Sequence, residues 1–149
     1  MITSLLTSFA LGTDSQFFHQ RQLQQAHQRL MDDLHWARLQ AIQTQQTIKI
    51  CSLDSHHQCD SHWQHIISIF IDSTPDPNQT PLKEITIPSA IELIDSRNYI
   101  HFNQQGMAYG TNQTLTLCSH HTGLKITISM TGNIHSSSTR VTCSKATAG

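Results

Sequence analysis

The pattern that organises this chain runs over residues 23–42, LQQAHQRLMDDLHWARLQAI. Leu23, Ala26, Leu30, Leu34, Ala37 and Ala41 recur three or four residues apart. That spacing sets them on one stripe of a helix about 30 Å long. No Pro or Gly interrupts the stretch, and its Gln, Leu, Arg and Ala residues all suit a helix interior. Upstream, the sequence LGTDS at 11–15 reads as a break. Asp14 or Ser15 is placed there to cap a helix predicted over residues 16–44. A period of 3.6 reports a buried face and no more, so the rest of the chain has to cover the stripe.

The rest of the chain changes period from 3.6 to 2. Short β-type runs are predicted at 47–51 (TIKIC), 63–72 (WQHIISIFID), 82–88 (LKEITIP), 91–95, 98–103, 114–118 (TLTLC), 124–131 (LKITISMT) and 140–143. The run at 82–88 lies between prolines, which suits an edge strand. The segment 73–81, STPDPNQTP, holds three of the four prolines and reads as a surface loop. Gly106, Gly110 and Gly132 mark turns, and a hairpin is expected across 119–123. The class is α+β, one long helix followed by an antiparallel sheet system. Leu23, Leu30, Leu34, Ala37, Arg38 and Ala41 are expected to pack on that sheet, with Trp63 or Phe70 opposite.

The 149 residues support about one domain with its own core. The formal net charge of −1 makes no overall electrostatic case for nucleic acid or an anionic membrane. Only 13% of residues are charged, so Gln, Ser, Thr, Asn and the 11 His must keep the surface polar. Four cysteines can pair in three ways. Cys51 and Cys59 flank a short polar loop, Cys118 ends one β-run and Cys143 sits in the last. Pairing Cys51–Cys59 and Cys118–Cys143 implies an oxidising compartment; the alternative is four reduced thiols in a cytosolic protein. The start, MITSLLTSFAL, is a short apolar run with no basic residue before it, well below a membrane span.

Candidate chemistry is sparse. His56, His57, Cys59, Asp60, His62 and His65 have the density of a zinc site, but a disulfide at Cys59 would remove its sulfur from use. His120-His121, beside Cys118, meets the same objection. No metal or other cofactor is expected. There is no G-x-S-x-G, no phosphate loop and no Ser, His and Asp constellation, so the chain does not read as an enzyme. Asp32 and Asp33 are adjacent on the helix and cannot face each other; one solvated residue and one helix-to-sheet contact is the simplest reading. Arg38, between Ala37 and Ala41, either snorkels to water or pairs with Asp33 or a carboxylate of the β region.

The ordered set Leu34-x-x-Ala37-Arg38-x-x-Ala41-Ile42, Cys51, Cys59, Trp63, Phe70-x-Asp72, Ile100-x-Phe102, Gly106, Gly110, Thr114-Leu115-x-Leu117-Cys118 and Ile126-x-Ile128-Ser129-x-Thr131-Gly132 resembles the GspH/FimT family. That family holds type II secretion pseudopilins and type IV minor pilins, and both cysteine pairs make the chain more similar to the FimT/FimU minor pilins. The resemblance covers roughly residues 20–145. It implies a type IV pilin-like fold, a long N-terminal helix packed on an antiparallel sheet or sandwich head. The whole chain, 1–149, would then be one pilin-like domain, with 1–15 the remnant of an N-terminal anchor, 16–44 the helix and 47–145 the β-rich head.

The function implied is non-enzymatic, in priming or capping a type IV pilus together with other pilins and the assembly machinery. The location implied is the cell envelope: the inner membrane through an anchor upstream, with a periplasmic head, and then an extracellular pilus. Some FimT-type pilins bind DNA for uptake through a Gly-Arg-x-Arg stretch. Here the corresponding stretch is Gly132-Asn133-Ile134-His135, without either arginine. Lys125, His135, Arg140 and Lys145 remain as candidate DNA contacts, which implies weak, salt-sensitive binding. A DNA receptor is therefore the alternative function, and a metal-binding envelope protein using the 56–65 region a third.

Overall fold

A computed structural model describes residues 14–72, 80–95, 97–137 and 139–143. The apolar start, most of the proline-rich loop and Lys145 lie outside the described residues. Helix α1, Asp14–Thr44, carries the predicted stripe. Its C-terminal stop uses no glycine. Gln45 takes the left-handed conformation at φ 55°, and its side-chain amide donates to the Ile42 carbonyl at 2.7 Å. The Ile42 carbonyl is one that the end of the helix leaves open, while the Thr44 hydroxyl donates back one turn to the Gln40 carbonyl at 2.7 Å.

Among the described residues nine strands follow, in two antiparallel sheets. β1 (Ile48–Cys51), β2 (Ile66–Ile71), β3 (Lys83–Thr86) and β5 (Tyr99–Phe102) form the first, in the order β3-β2-β1-β5. β4 (Ile91–Ile94), β6 (Gln113–Ser119), β7 (Thr122–Ile128) and β8 (Ile134–Ser136) form the second in that order. β9 (Val141–Thr142) pairs with the other end of the β7 edge. β3 is an edge strand, as the flanking prolines suggest. β8 was not predicted, and the hairpin turn at His120-His121 is tighter than expected because β6 and β7 pair up to Ser119 and Thr122.

Strand register sorts the side chains. Ile48, Ile50, Ile69, Ile100 and Phe102 share the inward face of the first sheet, with exposures of 0%. Leu115, Leu117, Ile126, Ile128 and Ile134 do the same for the second. α1 lies across both, touching β1 and β5 on one side and β6, β7 and β8 on the other. Leu34, Ala37 and Ala41 are fully buried there.

Two expectations need correction. Phe70 pairs with Lys49 on the outward face of the first sheet, because β2 turns Ile67, Ile69 and Ile71 inward. Trp63 packs against the core from its rim rather than from within a strand. It precedes β2, half-buried at the rim beside Glu92 and Leu93 of β4, and its indole N–H donates to the Arg97 carbonyl at 2.7 Å. The Ile, Leu and Phe102 side chains of the inward faces cover the stripe instead.

The two sheets share no backbone ladder. Where β5 faces β6, buried polar side chains bond its free edge: Gln113 donates to the Tyr99 carbonyl at 2.8 Å, and the Thr111 hydroxyl accepts from the His101 N–H at 3.1 Å. At the far edge, Lys83 points inward from β3 to an ion pair with Asp33, with its ammonium 5.1 Å from the Trp36 ring centre. An inward-pointing charge on an edge strand also discourages pairing with a further strand.

Leu34 is enclosed on all sides, so Leu34→Ala should lose about 2–5 kcal/mol of unfolding free energy in a denaturant titration. A loss below about 0.5 kcal/mol would show that the stripe is not the seat of the head.

Candidate functional site

The polar groups gather along the helix rather than in a catalytic cleft. Near its C-terminal end, Arg38 is half-buried and its Nε–H donates to the Gly106 carbonyl at 2.8 Å. Arg38 therefore neither snorkels free nor meets a carboxylate in the contacts seen; its partner is a backbone oxygen, which no charge pattern could announce. Asp33, the acid considered for it, is taken by Lys83. Asp32 stays exposed and accepts from Gln28 at 2.9 Å, so the adjacent acids divide between solvent and sheet.

Gly106 and Gly132 complete that contact. Both have positive φ, 75° and 86°. A Cβ added to Gly132 would lie 1.8 Å from the Gly106 oxygen and 2.9 Å from Arg38 Nε. The Gly106 and Gly132 turns are thus pressed together over one guanidinium, and only a residue without a side chain lets them approach. The Gly132 turn is itself closed by its N–H on the Ser129 carbonyl at 2.9 Å and by Asn133 N–H on Ser129 Oγ at 3.1 Å.

One turn into the stripe, His27 is buried at 8% exposure. Its Nε2 lies 3.3 Å from both the Lys125 carbonyl and Ser136 Oγ, tying α1 to β7 and β8. Sequence reasoning passed over His27, although its spacing of four from Leu23 placed it beside the buried face. Thr111 and Gln113 carried no comparable signal.

The cysteines form Cys51–Cys59 and Cys118–Cys143, with Cα separations of 5.5 and 6.0 Å. The first closes the His-rich loop around Asp54, whose carboxylate accepts from the N–H groups of His56 at 2.8 Å and Gln58 at 3.0 Å. The Gln58 N–H in particular holds the Asp54 carboxyl below the usual carboxylate range. With Cys59 in the disulfide, the loop has lost its thiolate. No cluster of three or more His, Cys, Asp or Glu among the described residues is arranged to hold a metal.

The candidate DNA contacts are partly gathered. Thr127 pairs with His135, so Lys125 and His135 share the outward face of β7 and β8. Arg140 is exposed just before β9, and Lys145 is outside the described residues. Within the turn, Ile134 is buried while Asn133 and His135 are exposed on either side of it.

This helix and two-sheet arrangement can be set beside known proteins. The family described as type II transport protein GspH matches residues 26–132. The chain belongs to the GspH family. It is similar in structure to the type IV minor pilin FimU of Pseudomonas aeruginosa, with a TM-score of 0.66 and 22% identity over 81% of this chain and 92% of that one. It is similar also to the minor pseudopilin EpsH of the type 2 secretion system of Vibrio cholerae, with a TM-score of 0.54 and 12% identity over 77% of this chain and 95% of that one. At these identities the likeness is one of fold. No curated relative matches in sequence. GspH-family proteins are structural pilins and pseudopilins of the cell envelope that work in assemblies with other pilins. Among the described residues, no helix of this member is long and apolar enough to cross a membrane.

Two predictions follow from this geometry. Gly132→Ala should cost on the order of 3 kcal/mol or more in unfolding free energy, because a methyl group would have to displace the Gly106 carbonyl from Arg38; an unchanged stability would mean the two turns are not locked together. For DNA, gel-shift titrations at pH 7.5 and physiological salt should show no submicromolar binding of a duplex by the native chain. Asn133→Arg with His135→Arg places two outward cations on the turn, and should raise affinity at least tenfold with a salt slope steeper by about two. Submicromolar native binding abolished by Arg140→Ala would put DNA recognition first.

Proposed function

We propose that this GspH-family protein is a non-enzymatic minor pilin that takes part in type IV pilus assembly, in the complex that primes or caps the filament. The observation that carries the reading is the division of α1. From Leu23 onward the helix is seated on both sheets, while Phe17 and Phe18, one turn earlier, are each 62% exposed. Two adjacent phenylalanines left open on the helix are suited to burial against neighbouring subunits rather than against their own head.

Further support comes from the polar groups, which are spent on holding α1 to the sheets and on closing turns. The similarity to the minor pilin FimU favours a pilus over a secretion pseudopilus, and the two disulfides fit a head that folds in an oxidising compartment. The subunit would meet other pilins through the exposed part of α1 and be held at the inner membrane before assembly. DNA binding gains no specific support from the outward Lys125 and His135.

Deletion of the gene in its native host should cut the number of surface pili and the twitching that depends on them, and a copy in trans should restore both. A copy with Phe17→Ser and Phe18→Ser should fold but fail to restore pili. Normal piliation with loss of protein secretion would assign the chain to a type II system instead.

A further inference from the structure

The first turns of α1 and the β6–β7 turn enclose a cleft of about 420 Å³ that the assembly reading does not use. His19, Leu23, Ser119, His120 and His121 line it, and no Lys, Arg, Asp or Glu among the described residues does. Two polar atoms of its wall are enclosed and without a hydrogen-bond partner: His19 Nδ1 and the hydroxyl of Ser119, a residue only 5% exposed. Unpartnered buried groups are uncommon in a folded protein, and two in one cleft point to something that satisfies them there.

The rings of His19 and His120 lie with centroids 4.4 Å apart and planes at 71°. Two imidazoles held at right angles on one metal ion, with metal–nitrogen bonds of about 2.0–2.1 Å, have centroids roughly 4.5 Å apart. The observed spacing is therefore one that a cis pair can occupy. His120 is exposed, at the tip of the turn, so its ring can rotate to present a nitrogen without moving backbone.

We infer that His19 and His120 form a binding site for a divalent first-row transition ion of the copper(II) or nickel(II) type, completed by water. His121 lines the same cleft, and the Ser119 hydroxyl, without a hydrogen-bond partner of its own, would bond a water on the ion. Imidazole nitrogen is the ligand these ions favour, and the 4.4 Å centroid spacing matches the 90° nitrogen–metal–nitrogen angle of a tetragonal ion better than the wider tetrahedral angle. Among the described residues the cleft presents no positive side chain to repel the ion, and no carboxylate to favour calcium or magnesium. The ion would clip the first turns of α1 to the β6–β7 turn, next to the Cys118–Cys143 bridge. Because protons compete for the same nitrogens, binding should weaken in acid.

The test is calorimetric titration of the full chain with Cu(II) and Ni(II) at pH 7.5, with electron paramagnetic resonance of the copper form. One site per chain with nitrogen hyperfine structure is expected, with affinity falling at least tenfold in His19→Ala and in His120→Ala. His56→Ala with His57→Ala, in the other His-rich loop, should leave it unchanged. If His19→Ala does not fold, chemical modification of the native chain replaces it: Ni(II) should protect His19 and His120 from acylation by diethyl pyrocarbonate, read by peptide mass. Affinity unchanged in the two single variants, affinity lost with His56 and His57, or absence of protection would each overturn the inference.

Discussion

Two β-sheets with no shared ladder have to be held in fixed relation, and one apolar stripe on one helix does it. Leu30 and Leu34 fill the space between the sheets, and Ala37 and Ala41, with almost no side chain, let the helix backbone settle close to both. The gap between β5 and β6 would otherwise expose an unpaired edge to the core. Thr111 and Gln113 bond it from the side, so the buried polar groups of β5 are satisfied without a strand. Loss of the helix would leave two half-cores, each with one face open to water.

The polar contacts follow from that seat. Arg38 lies one residue from a fully buried alanine, where its stem packs and its head cannot reach bulk water unhindered. The Gly106 carbonyl satisfies it, and that position is held from behind by Gly132. Lys83 and Asp33 do the same at the opposite edge, and His27 at the β7–β8 edge. Each is a single charged or polar group on the rim of an apolar interface, so each fixes the rotation of the helix on the head while adding little to the area buried. Direction comes from the rim and adhesion from the stripe.

Much of this was legible in the chain. Six apolar positions at helical spacing named the buried face, and alternation located most of the strands and the edge character of 82–88. The phase of β2 was not legible. In its run IISIFI the face of Phe70 is broken only by Ser68, too weak a polar signal to say whether Phe70 or Ile69 turned inward, and register settled it through pairing with β1. β8 was hidden because three residues, IHS, are too few to show a period. The split into two sheets was hidden because it depends on side-chain bonds from Thr111 and Gln113, whose types are ordinary at a strand start. Arg38 reads in the sequence as either free in water or paired with a carboxylate, and it is neither: its partner is a main-chain oxygen, and every residue carries one.

The low charge of the chain takes on a meaning in this context. A subunit that stacks among similar subunits brings its surface charges within a Debye length, about 8 Å at physiological ionic strength, of the same charges on its neighbours. A large net charge would then oppose assembly at every contact. A net charge of −1 with 13% charged residues keeps that repulsion small. The same economy removes the cationic surface that strong DNA binding needs. On this chain the two demands pull in opposite directions. The outward residues at 133 and 135, where the resemblance would place arginines, are a neutral amide and a histidine.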